Sequence, residues 1–484
     1  MVSIDVLLDD VLLEIFDFYM DEDRSRRLVC LKITKKTEAW QTLVHVCRRW
    51  RAVVFGSPLR LNLELVCTAE TPARVTLNVW PPFPLVIWSP RHFRTNSDFS
   101  TERADNIIAV LERRNRVRQI HLRHIPTSRM EEIFAAVQGP FPGLTHLWLS
   151  SVSSDETGPV IPDSFLGGSA PRLEEIWLSG IPFPGLPKLL LSAARLVELR
   201  ILNIPHSGYI SPEVMATMLS SLTRLGSLVI EFRSPQSIPD QETRRPLTRF
   251  VLPVLTNFMF EGVGYYLEYF VARIDAPQLN RLHVTLYNHI VFDTPQFIQF
   301  MDRTPKLKAL EKGHVIFGNN GARVNIFPVS SLTPHYEGLT VYIPCRGKLH
   351  LQVMAVEEVF TWSLPPLSAL EDLYIHNDPN SRPDWQDNVE NALWLELLRT
   401  FPAVKNLYLC EEFAPRIMPA LQELVGGRTT EVLPTLQNIF LEELQESGPV
   451  REGIRELVAA RQVTGHPIAV SLWENSWQNK VRLY

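Results

Sequence analysis

The stretch Leu144-Thr-His-Leu-Trp-Leu-Ser-Ser-Val152 carries the pattern that decides the fold, L-x-x-L-x-L followed by a further apolar residue. Val117-Arg-Gln-Ile-His-Leu-Arg-His-Ile125 and Leu173-Glu-Glu-Ile-Trp-Leu-Ser-Gly-Ile181 repeat it. Later copies begin at residues 196, 225, 255, 279, 370, 404 and 436, and weaker ones at 307 and 339. These starting points make eleven steps over 319 residues, or 29 residues per step. A near-constant period of this length indicates one supersecondary unit stacked many times along the chain.

Each unit predicts a strand followed by a crossover segment. Apolar residues alternate with a period of two within each copy, which is typical of a short strand. Pro stands just before several strands, as in Phe141-Pro-Gly143, and ends the preceding segment because it lacks an N–H. Between strands, residues 384–400 place Val389, Leu393 and Leu397 at helical spacing. The sequence therefore predicts an α/β fold, a leucine-rich-repeat solenoid with a curved parallel sheet and outer helices. The alternative, leucine-rich strands in an ordinary α/β protein, does not account for the period.

Two units break the pattern. Leu307-Lys-Ala-Leu310 places Lys312 where an apolar residue belongs, and Leu339-Thr-Val-Tyr-Ile343 alternates one step out of phase. We therefore predict a distorted or decorated region over residues 307–345.

Composition limits the classes of partner. The chain has 484 residues, is 45% hydrophobic and carries a net charge of −5, which favours neither nucleic acid nor an anionic membrane as a partner. Its apolar runs are too short to span a bilayer, and acids at Asp5, Asp9 and Asp10 stand where a signal peptide would carry bases. The five cysteines lack C-x-x-C spacing, so neither a disulfide framework nor a zinc site is predicted. We expect a cytoplasmic or nuclear protein.

The first 66 residues differ from the rest of the chain. Residues 9–19 predict a helix with one apolar stripe, and residues 40–55 predict a second helix that ends at Gly56-Ser-Pro58. On the second helix, Leu43, Val46, Cys47, Trp50 and Val54 are expected on one face. A module this small cannot bury both stripes by itself, so a partner surface is expected.

This module resembles an F-box. Leu7-Leu-Asp-Asp-Val-Leu-Leu-Glu-Ile-Phe16 and Val46-Cys-Arg-Arg-Trp-Arg51 are similar to its two conserved halves, with Leu8 where Pro is typical and an insert over about residues 21–39. The whole chain is similar to the F-box proteins with irregular leucine-rich repeats found in mushroom-forming fungi. The resemblance implies docking on a Skp-type adaptor and, through it, on a cullin. The positions it implies for docking are Leu7, Leu12, Ile15, Phe16, Val46, Cys47 and Trp50. The alternative is that these residues are the core of the module itself.

The predicted organisation has four parts. They are an F-box-like helical module at 1–66, a linker and N-terminal cap at 67–116, irregular repeats at 117–450 and a C-terminal cap at 451–484. No nucleotide-binding, hydrolase or metalloprotease motif occurs in the sequence, so no catalytic residue, cofactor or metal is predicted. His121 and His124 are three residues apart in a strand and would point to opposite faces.

Strand alternation also predicts a binding face. The residue between the second and third apolar positions points out of the concave sheet. Reading it along the repeats gives His121, Trp148, Trp177, Arg200, Val229, Met259, His283, Tyr374, Tyr408 and Phe440. Five of these ten are Phe, Trp or Tyr, against 10% in the whole chain, and aromatic side chains are frequent in binding hot spots. The alternative is that bulky residues suit a pleated strand whatever its function.

Two functions follow as hypotheses. The first is a substrate receptor of a cullin–RING ubiquitin ligase, with the repeats binding the substrate protein. The second is an F-box and leucine-rich-repeat scaffold that acts outside any ligase. An enzyme is the least favoured class.

Overall fold

The computed structural model is a mixed α/β protein with mostly parallel strand pairing. It describes residues 6–16, 18–19, 39–56, 63–80, 82–89, 99–152, 159–234, 248–287, 294–308, 310–328, 337–345, 347–363, 369–378, 385, 387–442 and 448–473. The chain forms two compact units, Met1–Ile210 and Ser211–Tyr484. The predicted boundaries at residues 66, 116 and 450 stay predictions.

Three helices are described at the start of the N-terminal unit. They are α1 (9–16), α2 (Ala39–Val46) and α3 (Arg48–Gly56). The prediction of a single helix over 40–55 is wrong, because the helix is interrupted at Cys47. The Cys47 Sγ accepts a hydrogen bond from the Trp50 backbone N–H at 3.4 Å, so Cys47 occupies the N-cap position of α3. The break changes the helical phase: Leu43 and Val54 are buried, whereas Val46 and Cys47 are exposed.

Six strands of the N-terminal unit pair in parallel and in chain order. They are β1 (Leu63–Val66), β2 (Leu85–Trp88), β3 (Val117–Ile125), β4 (His146–Ser151), β5 (Glu175–Ser179) and β6 (Glu198–Ile204). The helices of this region are α4 (Ala73–Val79), α5 (Thr101–Leu111), α6 (Thr127–Ala136) and α7 (Leu186–Ser192). A 3-10 turn at Phe165–Gly168 lies between β4 and β5. Strands β1 and β2 were not predicted, because neither follows the repeat pattern.

The C-terminal unit contains the later repeats. Its strands are β7 (Ser227–Phe232), β8 (Phe250–Val251), β9 (Asn257–Gly262), β10 (Ile274–Asp275), β11 (Arg281–Leu286), β12 (Lys312–Gly318), β13 (Gly321–Phe327), β14 (Gly338–Pro344), β15 (Asp372–Asn377), β16 (Asn406–Leu409), β17 (Asn438–Leu441) and β18 (Ala469–Leu472). Its helices are α8 (Pro212–Leu219), α9 (Gly264–Val271), α10 (Pro295–Arg303), α11 (Leu349–Ser363), α12 (Asn391–Arg399), α13 (Ala414–Gln422) and α14 (Pro449–Val463). The main sheet runs in the order β7-β9-β11-β14-β13-β12-β15-β16-β17-β18, and β8 pairs with β10.

All ten predicted repeat strands are present, and their pairing with one another is parallel within each unit. The predicted inward positions are also confirmed: Leu144, Leu147 and Leu149 of the β4 repeat are all buried. Burial at these positions is what fixes the register, because a slip by one residue would turn every apolar side chain to the other face.

The predicted distortion over 307–345 takes the form of an antiparallel insertion. Strand β13 pairs antiparallel with both β12 and β14, and β14, rather than β12, lies beside β11. Lys312 is aligned with Asp372, and Gly313 with Leu373. The frame that began this unit at Leu307 is therefore wrong: Leu310 takes the first apolar position and Gly313 the second. Leu339 aligns with Leu282, so the β14 unit is in phase once Leu339 is given the second position.

The predicted helix over 384–400 is shorter than expected. Helix α12 begins at Asn391, so Val389 precedes it. The backbone carbonyls of Trp385 and Asp387 accept hydrogen bonds from the Arg416 guanidinium at 3.2 and 3.3 Å. The Asp387 carboxylate in turn accepts from the backbone N–H of His350 at 3.1 Å. These contacts hold the segment before α12 in a non-helical conformation.

Gly313 generates a prediction that runs against the repeat consensus. A Cβ at this position would lie 2.5 Å from Cδ1 of Leu370, which is fully buried. Gly313→Leu, although it restores the leucine pattern, should lower the free energy of unfolding by about 1–3 kcal/mol through overpacking. Urea unfolding followed by circular dichroism measures the change. Gly264→Leu is the matched control, because an added Cβ there meets nothing within 4 Å. A stability gain from Gly313→Leu would contradict the assignment of Gly313 to the second apolar position of its repeat.

Candidate functional site

An unbroken row of aromatic and cationic side chains crosses the N-terminal unit. Strand register aligns Trp88, His121, Trp148, Trp177 and Arg200, which we call the first ladder. The His121 ring stacks on Trp88 with centroids 4.0 Å apart and meets Trp148 edge-on at 4.5 Å. The rings of Trp148 and Trp177 are 4.9 Å apart. Contacts of this kind restrict the mutual orientation of the rings.

Charged groups surround the first ladder. The Arg123 guanidinium lies 4.6 Å from the Trp148 ring centroid and 4.7 Å from that of Trp177, which is cation–π geometry. Arg200 forms an ion pair with Glu198. Glu175 lies 3.5 Å from the His146 imidazole, and the hydrogen bond from this imidazole lowers the pKa of the Glu175 carboxyl. The face therefore combines aromatic rings with charged groups of both signs.

A second ladder crosses the C-terminal unit. It consists of His314, Tyr374, Tyr408 and Phe440, which strand register aligns. Tyr374 stacks on Tyr408 with centroids 4.0 Å apart, and Tyr408 stacks on Phe440 at 4.4 Å. Burial raises the pKa of the Tyr374 hydroxyl, and the neighbouring Tyr408 raises it further. These phenols therefore stay neutral at physiological pH.

A hydrogen-bonded amide row borders the second ladder. The Asn438 side-chain amide donates to Asn406 Oδ1 at 2.7 Å, and the Asn406 amide donates to Asp372 Oδ1 at 2.7 Å. Lys312 Nζ lies 3.8 Å from the other oxygen of Asp372. These side chains satisfy one another's hydrogen bonds, so they reinforce the register of neighbouring strands at the edge of this face.

The structure separates the predicted face into two ladders and a few isolated positions. Trp148, Trp177, Arg200, Tyr374, Tyr408 and Phe440 are half-buried at outward positions, as predicted. His121 and Val229 are buried, so neither can contact a partner directly. For His121 the reason is the pair of indoles against its ring. Met259 and His283 are aligned with each other on β9 and β11, and the β14-β13-β12 insertion separates them from the second ladder.

The predicted adaptor-docking residues also divide into two groups. Leu12 and Phe16 are fully buried, and Phe16 packs on Trp50 with ring centroids 4.7 Å apart. They belong to the packing of the module itself. Ile15 and Val46 are 43% and 56% exposed. Of the other three predicted docking residues, Cys47 is exposed, and Leu7 and Trp50 are half-buried. Arg49 joins α3 to the start of α1 through an ion pair with Asp9 at 2.8 Å.

Three ladder contacts were missed from the sequence. Trp88 ends a strand without the leucine pattern, and Arg123 follows the third apolar position of its repeat, Leu122. Trp473 follows β18, yet its indole meets the Tyr374 and Tyr408 rings edge-on at 5.8 and 5.5 Å. The apolar run Leu85-Val-Ile-Trp88 was the one available signal, because it predicts a buried strand without the repeat pattern.

The chain was compared with known proteins. No family model matches it, and neither does any curated protein sequence. Among solved structures, it is similar to the crystal structure of the leucine-rich repeat-containing protein LegL7 from Legionella pneumophila. The match has 12% sequence identity and a TM-score of 0.27, and covers 82% of this chain and 97% of that one.

Neither membrane spans nor metal clusters are found in the described part of the chain. The longest described helices, α11 and α14, have 15 residues, and no described helix could cross a bilayer. Among the same residues, no group of three His, Cys, Asp or Glu side chains is placed to hold a metal ion.

The outward placement of Trp177 predicts a modest effect on stability. Trp177→Ala removes a half-buried ring and its contacts with Trp148 and Arg123, so the free energy of unfolding should fall by only about 1–2 kcal/mol. Phe165→Ala, a buried aromatic change in the same unit, should cost about 3–5 kcal/mol. Urea unfolding followed by far-ultraviolet circular dichroism compares the two. An equal or larger loss for Trp177→Ala would show that this ring is core and that the first ladder is not a binding face.

Proposed function

We propose that this protein is the substrate-recognition subunit of a cullin–RING (SCF-type) ubiquitin ligase. In this proposal helices α1–α3 dock on a Skp-type adaptor, and the outward ladders of the sheets bind a protein substrate. The chain itself contributes no catalytic residue, because ubiquitin transfer belongs to the partners recruited through the adaptor. It is proposed to act inside the cell, in the cytoplasm or the nucleus.

The exposed apolar side chains of Ile15 and Val46 are the observation that carries this proposal. Ile15 and Val46 belong to the two segments that resemble the halves of an F-box. Half-buried Trp50 lies in the same segment as Val46. Exposed apolar surface of this kind marks an interaction site more often than an idle one. The ladders support the second half of the proposal, since rigid aromatic side chains bordered by polar groups have the composition of binding hot spots.

A scaffold that binds partners outside any ligase is the second candidate. The full burial of Leu12 and Phe16 favours it, because their burial reduces the apolar surface left for an adaptor. Both candidates use the ladders as the binding face. They differ only in whether α1–α3 recruit the adaptor.

Adaptor binding separates the two candidates. Ile15→Glu with Val46→Glu should reduce adaptor affinity at least about a hundredfold, because two carboxylates would have to be desolvated in an apolar contact. The measurement is co-purification of the full chain with a Skp-type adaptor, followed by calorimetric titration. Ile15 and Val46 are better test positions than Trp50, because replacing Trp50 would also remove its packing contact with Phe16.

The matched control is Val75→Glu with Val79→Glu, which places two carboxylates on exposed positions of α4 in the same unit. The control should bind the adaptor like the unchanged chain. If the unchanged chain does not bind the adaptor, the ligase proposal is wrong and the scaffold function is the remaining candidate. If the control loses binding equally, α1–α3 are not the docking surface.

A further inference from the structure

A cluster of two arginines and three polar side chains lies on the outward face of β11, β14 and β13. Arg281 and His283 are two residues apart on β11, and His283 is aligned with Thr340 of β14. Arg323 of β13 is aligned with Tyr342, two residues beyond Thr340 on β14. Residues aligned in register share a face, so all five side chains point to the same side of the sheet.

No described residue provides a counter-ion for either arginine. Within the described residues, neither guanidinium forms a hydrogen bond or an ion pair, although both side chains are half-buried. Arg323 lies over the Tyr342 ring at 5.8 Å, and its Nε is shielded from solvent without a hydrogen-bond partner. A shielded donor on a permanent cation is costly to leave unsatisfied, and a bound anion is one of the standard explanations for such an atom.

The positive charges of Arg281 and Arg323 both act on the His283 ring. Burial, together with the positive charges of Arg323 and Arg281, lowers the pKa of His283 to about 4. Both guanidinium groups are therefore close enough to raise the potential at the His283 ring. Strands are about 4.8 Å apart and consecutive residues about 3.3 Å, so the Arg281 and Arg323 side chains start on opposite sides of Thr340. Thr340 and His283 therefore occupy register positions between the two arginines.

Nearby carboxylates are engaged elsewhere. Glu261 of β9 accepts a hydrogen bond from the Tyr287 hydroxyl at 2.7 Å, and Glu337 accepts one from the Asn280 amide at 3.3 Å. Asp372 is paired with Lys312 and Asn406. The cluster is therefore not neutralised by a described acidic side chain of its own sheet.

From this arrangement we infer that Arg281, Arg323 and His283 form a binding site for a phosphate monoester. Two guanidinium groups match the charge of about −1.5 to −2 that a phosphate monoester carries at pH 7, whereas a carboxylate carries only one charge. Planar guanidinium donors suit phosphate oxygens in paired hydrogen bonds. The inference rests on the proposed function in one respect only: it takes the phosphate to be carried by the bound protein.

Calorimetric titration of the full chain without adaptor tests this site. The probes are phosphoserine, inorganic phosphate and, as the carboxylate comparison, glutamate. The unchanged chain should bind phosphoserine saturably and at least about tenfold more tightly than glutamate. Arg281→Gln with Arg323→Gln should weaken phosphoserine binding at least about tenfold. Arg224→Gln, an exposed change in the same unit, is the control and should have no effect.

Single Arg→Lys variants keep the charge but lose the planar donors, so each should weaken binding less than the double Gln variant. They also serve as the folded comparison if the double variant unfolds in circular dichroism. A short phosphoserine peptide that binds more tightly than inorganic phosphate supports a protein as the source, and equal affinities support a small phosphate ester. The site is refuted if no saturable phosphate binding occurs, if glutamate binds as well as phosphoserine, or if Arg224→Gln weakens binding as much as the double variant. Because no adaptor is present, these results are independent of the docking test.

Discussion

The parallel register between neighbouring repeats is the constraint on which the rest of the structure depends. Burial of the leucine positions sets this register, because a shift of one residue would expose each apolar row. Leu147 therefore stands beside Ile176, and Trp148 is forced beside Trp177. The outward side chains become ladders as a consequence of inward packing. Any chemistry at an outward position is repeated at strand spacing of about 4.8 Å, which lets side chains from distant parts of the sequence act as one surface.

The antiparallel insertion changes what this constraint produces in the C-terminal unit. Strand β13 interrupts the repeats, and Gly313 leaves room for Leu370 where a second leucine would stand. On the outward side, the positions between Met259 and the second ladder are His283, Thr340 and Asn325. The aromatic character of the ladders is thus replaced by polar groups. The inserted strand β13 supplies Arg323 of the proposed phosphate site, and among the described residues neither Arg323 nor Arg281 of β11 has an ion-pair partner.

Much of this fold was predictable because the leucine pattern reports burial directly, and burial determines both strand and face. Ten strands and the outward placement of Trp148, Trp177 and Tyr374 followed from it. The misplaced frame at Leu307 had a physical reason: Gly313 occupies a core position, and Leu370, from the segment just before β15, fills the space beside it. The break at Cys47 depended on a sulfur cap, which helical periodicity does not report. Trp473 and Arg123 join the ladders through tertiary contacts that no local pattern encodes.

The central claim is that outward residues of adjacent repeats stand side by side, and a cross-link tests it most directly. Ser150 and Ser179 are aligned on β4 and β5, whereas Leu202 of β6 is one strand further away. Neighbouring strands bring the α-carbons within the roughly 4.4–6.8 Å that a disulfide spans. We predict that Ser150→Cys with Ser179→Cys forms a disulfide under mild oxidation, detected as a linked peptide by mass spectrometry. Ser150→Cys with Leu202→Cys should not form one. Absence of the first link, or equal formation of both, would contradict the register and the ladders built on it.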